Sequence, residues 1–131
     1  MKGVYILKIY LRKSVEIRVG ALGSLLFRKG FYSYTGSAMG GLEARIKRHL
    51  RKDKRLHWHI DYLLGKAEII RVLAMETNIK SEECMAAARL EKSGGIPVGG
   101  FGCSDCKCKS HLFHFKSPSM MKIDNYRLLK L

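Results

Sequence analysis

Gly3-Val4-Tyr5-Ile6-Leu7-Lys8-Ile9-Tyr10-Leu11 is apolar at nearly every position. A strand covered on one face alternates apolar with polar residues, so a continuous run like this reads as a strand buried on both faces. Arg12-Lys13-Ser14 breaks the run, and Val15, Ile17 and Val19 then alternate with Glu16 and Arg18. That is the pattern of a half-buried strand, and the two runs together predict a hairpin. Residues 20–23 read as a loop and Leu25-Leu26-Phe27 as a third strand. Arg28-Lys29-Gly30 makes a tight turn, and residues 31–35 return as a strand carrying Phe31, Tyr32 and Tyr34.

Residues 36–41 are small and flexible in composition, and a helix starts near Gly41. Leu42, Ile46 and Leu50 recur every four residues and predict its buried stripe, with Lys47, Arg48 and Arg51 elsewhere on its surface. Residues 53–56 form a charged connection, residues 57–64 a second helix, and Gly65 its C-terminal stop. Residues 67–75 read as a strand rich in branched apolar side chains. Ser81 is placed to cap a third helix, with Glu82 and Glu83 in the first turn where the helix dipole favours acids. Residues 93–102 hold five glycines and a proline and predict a loop; residues 110–115 predict a last strand. The reading is one domain over residues 1–116, followed by an apolar and basic tail over residues 117–131.

The chain has 131 residues, 25 of them basic and 11 acidic, for a formal charge of +14. Hydrophobic content of 47% and only two prolines argue for a globular fold rather than disorder. An excess of positive charge favours an anionic partner, because neutralised phosphates release their counterions. Nucleic acid is therefore the expected partner, and DNA in particular. No stretch approaches transmembrane length, and Met1-Lys2-Gly3 leads into a strand without a signal peptide's cleavage site. The expected location is cytoplasmic, with no membrane association. The four cysteines are then thiols or metal ligands rather than disulfides.

Two tripeptides carry the chemistry: Gly3-Val4-Tyr5 on the first strand and Tyr34-Thr35-Gly36 on a later one, with Ser37-Ala38 after it and Arg45 and His49 on the next helix. This ordered set resembles the core of the GIY-YIG endonucleases. The run from Tyr34 through His49, followed by His57-Trp58-His59-Ile60-Asp61-Tyr62, is similar to a small stand-alone prokaryotic group of that superfamily (Uri-type, formerly a domain of unknown function). The resemblance covers roughly residues 3–116. It implies an α+β fold, a small central and mostly antiparallel sheet flanked by helices. It also implies a divalent metal, magnesium or manganese, on a single glutamate of a later helix; Glu83 is the candidate and Glu82 the alternative. The stretch between the tripeptides is longer than the family's, and the extra hairpin there is placed to shape substrate choice.

The residues support the same reading on their own chemistry. Hydrolysis of a phosphodiester needs an activated water, stabilised charge on the phosphate oxygens and help for the leaving group. Tyr5 can polarise or deprotonate the water if nearby positive charge favours its phenolate, since a free phenol titrates near pH 10. Arg45 offers a planar fork to the phosphate. His49, four residues on, projects from the same helix face and can assist proton transfer or bind phosphate. Tyr34 can hold the water or phosphate by a hydrogen bond. Lys47, Arg48, Arg51, His57 and His59 are candidate DNA contacts. The plainer readings are cross-strand aromatic packing for the tyrosines, a solvated charge for Arg45, a cap on the apolar stripe for His49 and a dipole-complementing role for Glu83.

Cys103, Cys106 and Cys108, with His111 and His114 close behind, resemble a soft-metal site. A structural zinc would take Cys103, Cys106, Cys108 and His111; partly buried free thiols are the other reading. Cys84 stands alone on a helix and is assigned to the core, as is Trp58, whose other reading is stacking on an unpaired base. The expected activity is metal-dependent hydrolysis of DNA, with branched and damaged forms among the substrates. A non-catalytic nucleic-acid-binding module and a zinc-containing interaction domain are the alternatives.

Overall fold

The computed structural model describes residues 1–101 and 110–129. Strand β1 (Gly3–Leu11) is the spine of the molecule, as its double-sided apolarity requires. It pairs antiparallel along its length with β4 (Gly30–Ala38) on one side and β5 (Glu68–Glu76) on the other. Strand β7 (Leu112–Phe115) adds to β4, and the two-residue β6 (Ile96–Pro97) adds to β7. With β8 (Arg127–Leu129) at the far edge, the six-stranded order is β6-β7-β4-β1-β5-β8, with antiparallel pairing throughout. The α+β architecture with a mostly antiparallel sheet follows the expectation.

The hairpin does not. β2 (Val15–Arg18) pairs with β3 (Ser24–Phe27) in a separate two-stranded sheet, not with β1. β1 is apolar on both faces and nine residues long, and only partners of matching length can cover both its edges. The four-residue β2 cannot, and the nine-residue β4 and β5 do. Residues 117–129, set apart in the sequence as a tail, come back to the sheet. Met121 is fully buried, and β8 (Arg127–Leu129) pairs with β5 at the edge.

Helices α1 (Leu42–Leu50) and α2 (His59–Leu64) lie with the small hairpin on one face of the sheet, sharing a core with Tyr5, Leu7, Ile9 and Leu11. Helix α3 (Glu82–Lys92) and Met121 cover the other face, over Ile6, Phe113 and Phe115. The buried stripe of α1 is Leu42, Ile46 and His49, while Leu50 is exposed. At about 100° per residue His49 falls about 20° to one side of Leu42, and Ile46 about 40° and Leu50 about 80° to the other. His49 therefore lies nearer the centre of the stripe than Leu50 does. Ser81 does not cap α3: its own dihedrals are helical (φ −64°, ψ −14°) and its side chain makes no capping bond. A capping residue needs an extended backbone to aim its oxygen at the first amides.

Among the described residues no helix is long and apolar enough to cross a membrane.

Candidate active site

The register of β1 against β4 puts Tyr5 directly opposite Gly36. A side chain at position 36 would collide with the Tyr5 phenol, so only glycine lets that ring cross its neighbouring strand. Gly3 has the same kind of reason. A Cβ there would run into the Met75 carbonyl of β5 and come within 2.7 Å of the Leu42 side chain. Gly36 is thus required by the Tyr5 ring, and Gly3 by the close approach of β5 and α1.

Residues 36–38, expected as loop, continue β4 opposite Tyr5, Val4 and Gly3. β7 starts only at Leu112, opposite Tyr34. The end of β4 therefore has no strand beyond it among the described residues, and groups from both faces of the sheet meet there. They line a cleft of about 910 Å³ that includes Tyr5, Tyr34, Arg45, Trp58, Glu83 and His111. Glu83 comes from the first turn of α3, His111 from just before β7, and Trp58 from just before α2.

The Tyr5 hydroxyl is 2.6 Å from His49 Nε2, a buried hydrogen bond between β1 and α1. Burial pushes the Tyr5 phenol well above its ordinary range; the Arg45 charge and hydrogen bond pull it down without overcoming that effect. The condition for a resting phenolate is therefore not met, and Tyr5 is a neutral phenol. Burial likewise lowers His49, to about 4, with the Lys54 charge adding to it and Asp61 opposing it. At neutral pH the pair is a phenol beside a neutral imidazole. His49 Nδ1 is buried and has no hydrogen-bond partner among the described residues. Tyr34 is held above its usual range by burial and packs edge-on against His49, with ring centroids 6.1 Å apart.

Arg45 is steered into the cleft from two sides. Its NH1 donates to the Ser37 carbonyl at 3.1 Å, and its guanidinium lies 4.5 Å from the Trp58 ring centre. Trp58 was expected in the core; it is only half-buried and lines the cleft. The Arg48 guanidinium also lies over it, at 4.1 Å. Arg48 itself is committed. Its two terminal nitrogens each donate to the Asp61 carboxylate at 3.0 Å, and one also reaches the Arg55 carbonyl. Asp61 accepts in addition from the backbone amides of His57 and Trp58, both at 2.9 Å. Burial alone would raise its pKa, but the Arg48 hydrogen bonds and those two amides hold it low. Arg48, a candidate DNA contact in the sequence, is thus the clamp that fixes the entrance to α2.

The two adjacent acids of α3 separate. Glu82 accepts from Arg89 at 2.9 Å and from the Tyr126 hydroxyl at 3.2 Å, and it does not line the cleft. Glu83 does, with its Oε2 3.6 Å from His111 Nδ1. His111 Nε2 is in turn 4.0 Å from the Cys84 thiol. Cys84 is half-exposed on the cleft wall, not in the core. Burial keeps the His111 imidazole below its ordinary pKa.

A family model described as "Domain of unknown function DUF123" matches residues 4–130. The chain belongs to this family. No curated protein and no solved structure matches it significantly.

In this DUF123 chain the structure brings Tyr5, Tyr34, Arg45 and Glu83 to one cleft, with His49 directly behind Tyr5. His57 and His59 line the same cleft, His59 packed against Phe101 with centroids 5.6 Å apart. Lys47 and Arg51 are exposed and lie outside it. Cys103, Cys106 and Cys108 lie outside the described residues; His111, their suggested companion, is a cleft residue. Among the described residues no group of three or more His, Cys, Asp and Glu is arranged to hold a metal. Lys80 also lines the cleft, and the sequence reading passed over it. Its one available signal is position, a cation just before the acid-bearing turn of α3.

Proposed function

We propose that this chain is a metal-dependent endonuclease of the GIY-YIG type, hydrolysing DNA phosphodiester bonds in the cytoplasm. The observation that carries the reading is the convergence of a phenol, a guanidinium and a carboxylate on one cleft, with the phenol hydrogen-bonded to a neutral imidazole. Arg45, held by Ser37 and Trp58, presents its fork to the phosphate before substrate arrives, so little reorganisation is needed when charge develops. Tyr5 takes a proton from the attacking water as its own proton passes to His49 Nε2. The new hydroxide oxygen bonds to phosphorus, and the leaving oxygen departs with the bonding pair. A neutral phenol is a weak base, and this hand-off is what makes it competent. His49 can accept because burial keeps it unprotonated at neutral pH.

A single carboxylate, partly exposed on the cleft wall, fits magnesium, which keeps most of its waters and takes one or two protein carboxylates beside a substrate phosphate. Glu83 would hold the ion, which when bound supplies Lewis-acid charge at the phosphate and leaving oxygen. Purified protein offered linear, branched and damaged DNA in magnesium or manganese should cut at least one form. Tyr5→Phe should lose about 10²–10⁴-fold in rate, and Glu83→Gln should lose metal-dependent cleavage, both with DNA binding retained. Failure of the unaltered protein to cut any form would sink the proposal and leave a binding module.

A further inference from the structure

A second concavity, of about 430 Å³, lies at the far end of β1 and takes no part in the chemistry described above. Leu11 and Ala67 are buried at its base, while Arg12, Lys13 and Lys66 are exposed on its rim. Glu68 is the one acid among the lining residues, against those three cations. We propose that this groove binds the backbone of duplex DNA at a distance from the scissile phosphate, an inference that rests on the nuclease reading of the cleft.

Three observations connect the two places. Tyr5 and Leu11 differ by an even number of positions on one strand, so they point to the same face of the sheet. Six residues at about 3.3 Å each set them about 20 Å apart, which corresponds to about six base pairs of duplex. The surface between them is also basic and braced. Lys52 Nζ donates to the Leu64 and Ala67 carbonyls, both at 2.8 Å, tying the segment after α1 to the base of the groove. Lys54 Nζ donates to the Arg48 and His49 carbonyls, at 3.2 and 2.8 Å, fastening the same segment to the end of α1. With those lysines employed as braces, Arg51 and Arg55 of the same segment are left exposed, against the single acid Asp53. A membrane surface would call for exposed aliphatic side chains to insert. The rim has no exposed aliphatic side chain: Leu11 and Ala67 are buried, Val15 is half-buried, and the exposed ring of Tyr10 is packed against Phe31.

The test is binding, in chelator so that nothing is cut, over a salt series, with one duplex of about 20 base pairs and one loop-closed duplex of about 3, too short to span from the cleft to the groove. K13A/K66A should weaken the long duplex tenfold or more and reduce its salt slope by about 1.8, leaving the short duplex unchanged. Both side chains are exposed, and an unaltered melting curve verifies the fold. K92A/K122A removes the same charge from the part of the chain that packs on the other face, and should change neither duplex. Equal weakening at both lengths, or the same loss in K92A/K122A, would show bulk charge only and overturn the proposal. So would a variant that loses binding to phosphatidylserine vesicles but not to DNA. Cleavage is not the readout. A chain that binds by length yet never cuts keeps this groove and loses the nuclease reading, and one that cuts but binds both lengths alike does the reverse.

Discussion

Arg45 and Arg48 stand one turn apart on α1, and Glu82 and Glu83 are neighbours on α3, yet each couple is split between two regions of the molecule. Arg48 and Glu82 are tied off: one grips buried Asp61, the other is held by Arg89 and Tyr126. Arg45 and Glu83 face the cleft from opposite faces of the sheet. Charge type and helix position do not separate the members of either couple. What separates them is where the side chain points: onto the cleft wall, or into a polar network away from it. A bidentate carboxylate with two further amides on it is a structural joint, while a fork held by one carbonyl, an indole and the Tyr5 hydroxyl stands beside the reacting groups.

The largest test of that contrast is Arg45→Ala, which should cost about 10²–10³-fold in cleavage rate while the melting temperature stays within a few degrees. A collapse of the fold instead would put Arg45 with the structural group. Asp61→Ala should do the opposite. Arg48 would be left without its carboxylate and two amides without their acceptor, for a loss of about 3 kcal/mol in denaturant unfolding. Cleavage per folded molecule should survive.

Acid sharpens the same contrast. The folded pKa of His49 is lowered to about 4, so the unfolded chain takes up a proton between about 6.5 and 4 that the folded chain refuses. The stability from neutral His49 is complete above about pH 6.5 and is lost as pH falls through that window, roughly 2 kcal/mol by pH 4.5. His111, also lowered, acts in the same direction. Melting curves from pH 7 to 4.5 should fall less steeply for His49→Gln than for the unaltered chain, and an identical fall would remove His49 from the account. The smallest effect belongs to Glu82→Gln. Its Arg89 partner is 40% exposed, so the loss should be below about 1 kcal/mol with cleavage unchanged. A large drop in activity there would mean that the wrong acid has been assigned to the cleft.

Much of this was legible beforehand, because it is local. β1 spans the residues that its apolar run marks, and the glycine-tyrosine pairs, the basic helix and the acid-bearing turn of α3 all stand where pattern and motif place them. What failed were choices among partners. The short hairpin looked natural because β1 and β2 are adjacent in sequence, yet adjacency counts for less than covering a long strand on both edges. Ser81 has the residue type of a cap without the dihedrals of one. Leu50 fits the four-residue apolar recurrence but lies exposed, while His49, read only as capping the stripe, is part of it. Met121 and β8 carry too few residues to announce a place in the sheet.

The sequence by itself determined which chemistry is present: two phenols, a forked cation, imidazoles and acids, at spacings that local backbone geometry converts into faces of strands and helices. Only the tertiary structure decided which of them work together. The resemblance already favoured Arg45 over Arg48 and Glu83 over Glu82; the physical separation behind that choice, with Arg48 and Glu82 held by Asp61, Arg89 and Tyr126, is visible only in the folded chain. Burial energies that raise Tyr5 and lower His49 likewise arise only when residues distant in the chain exclude water from the same place.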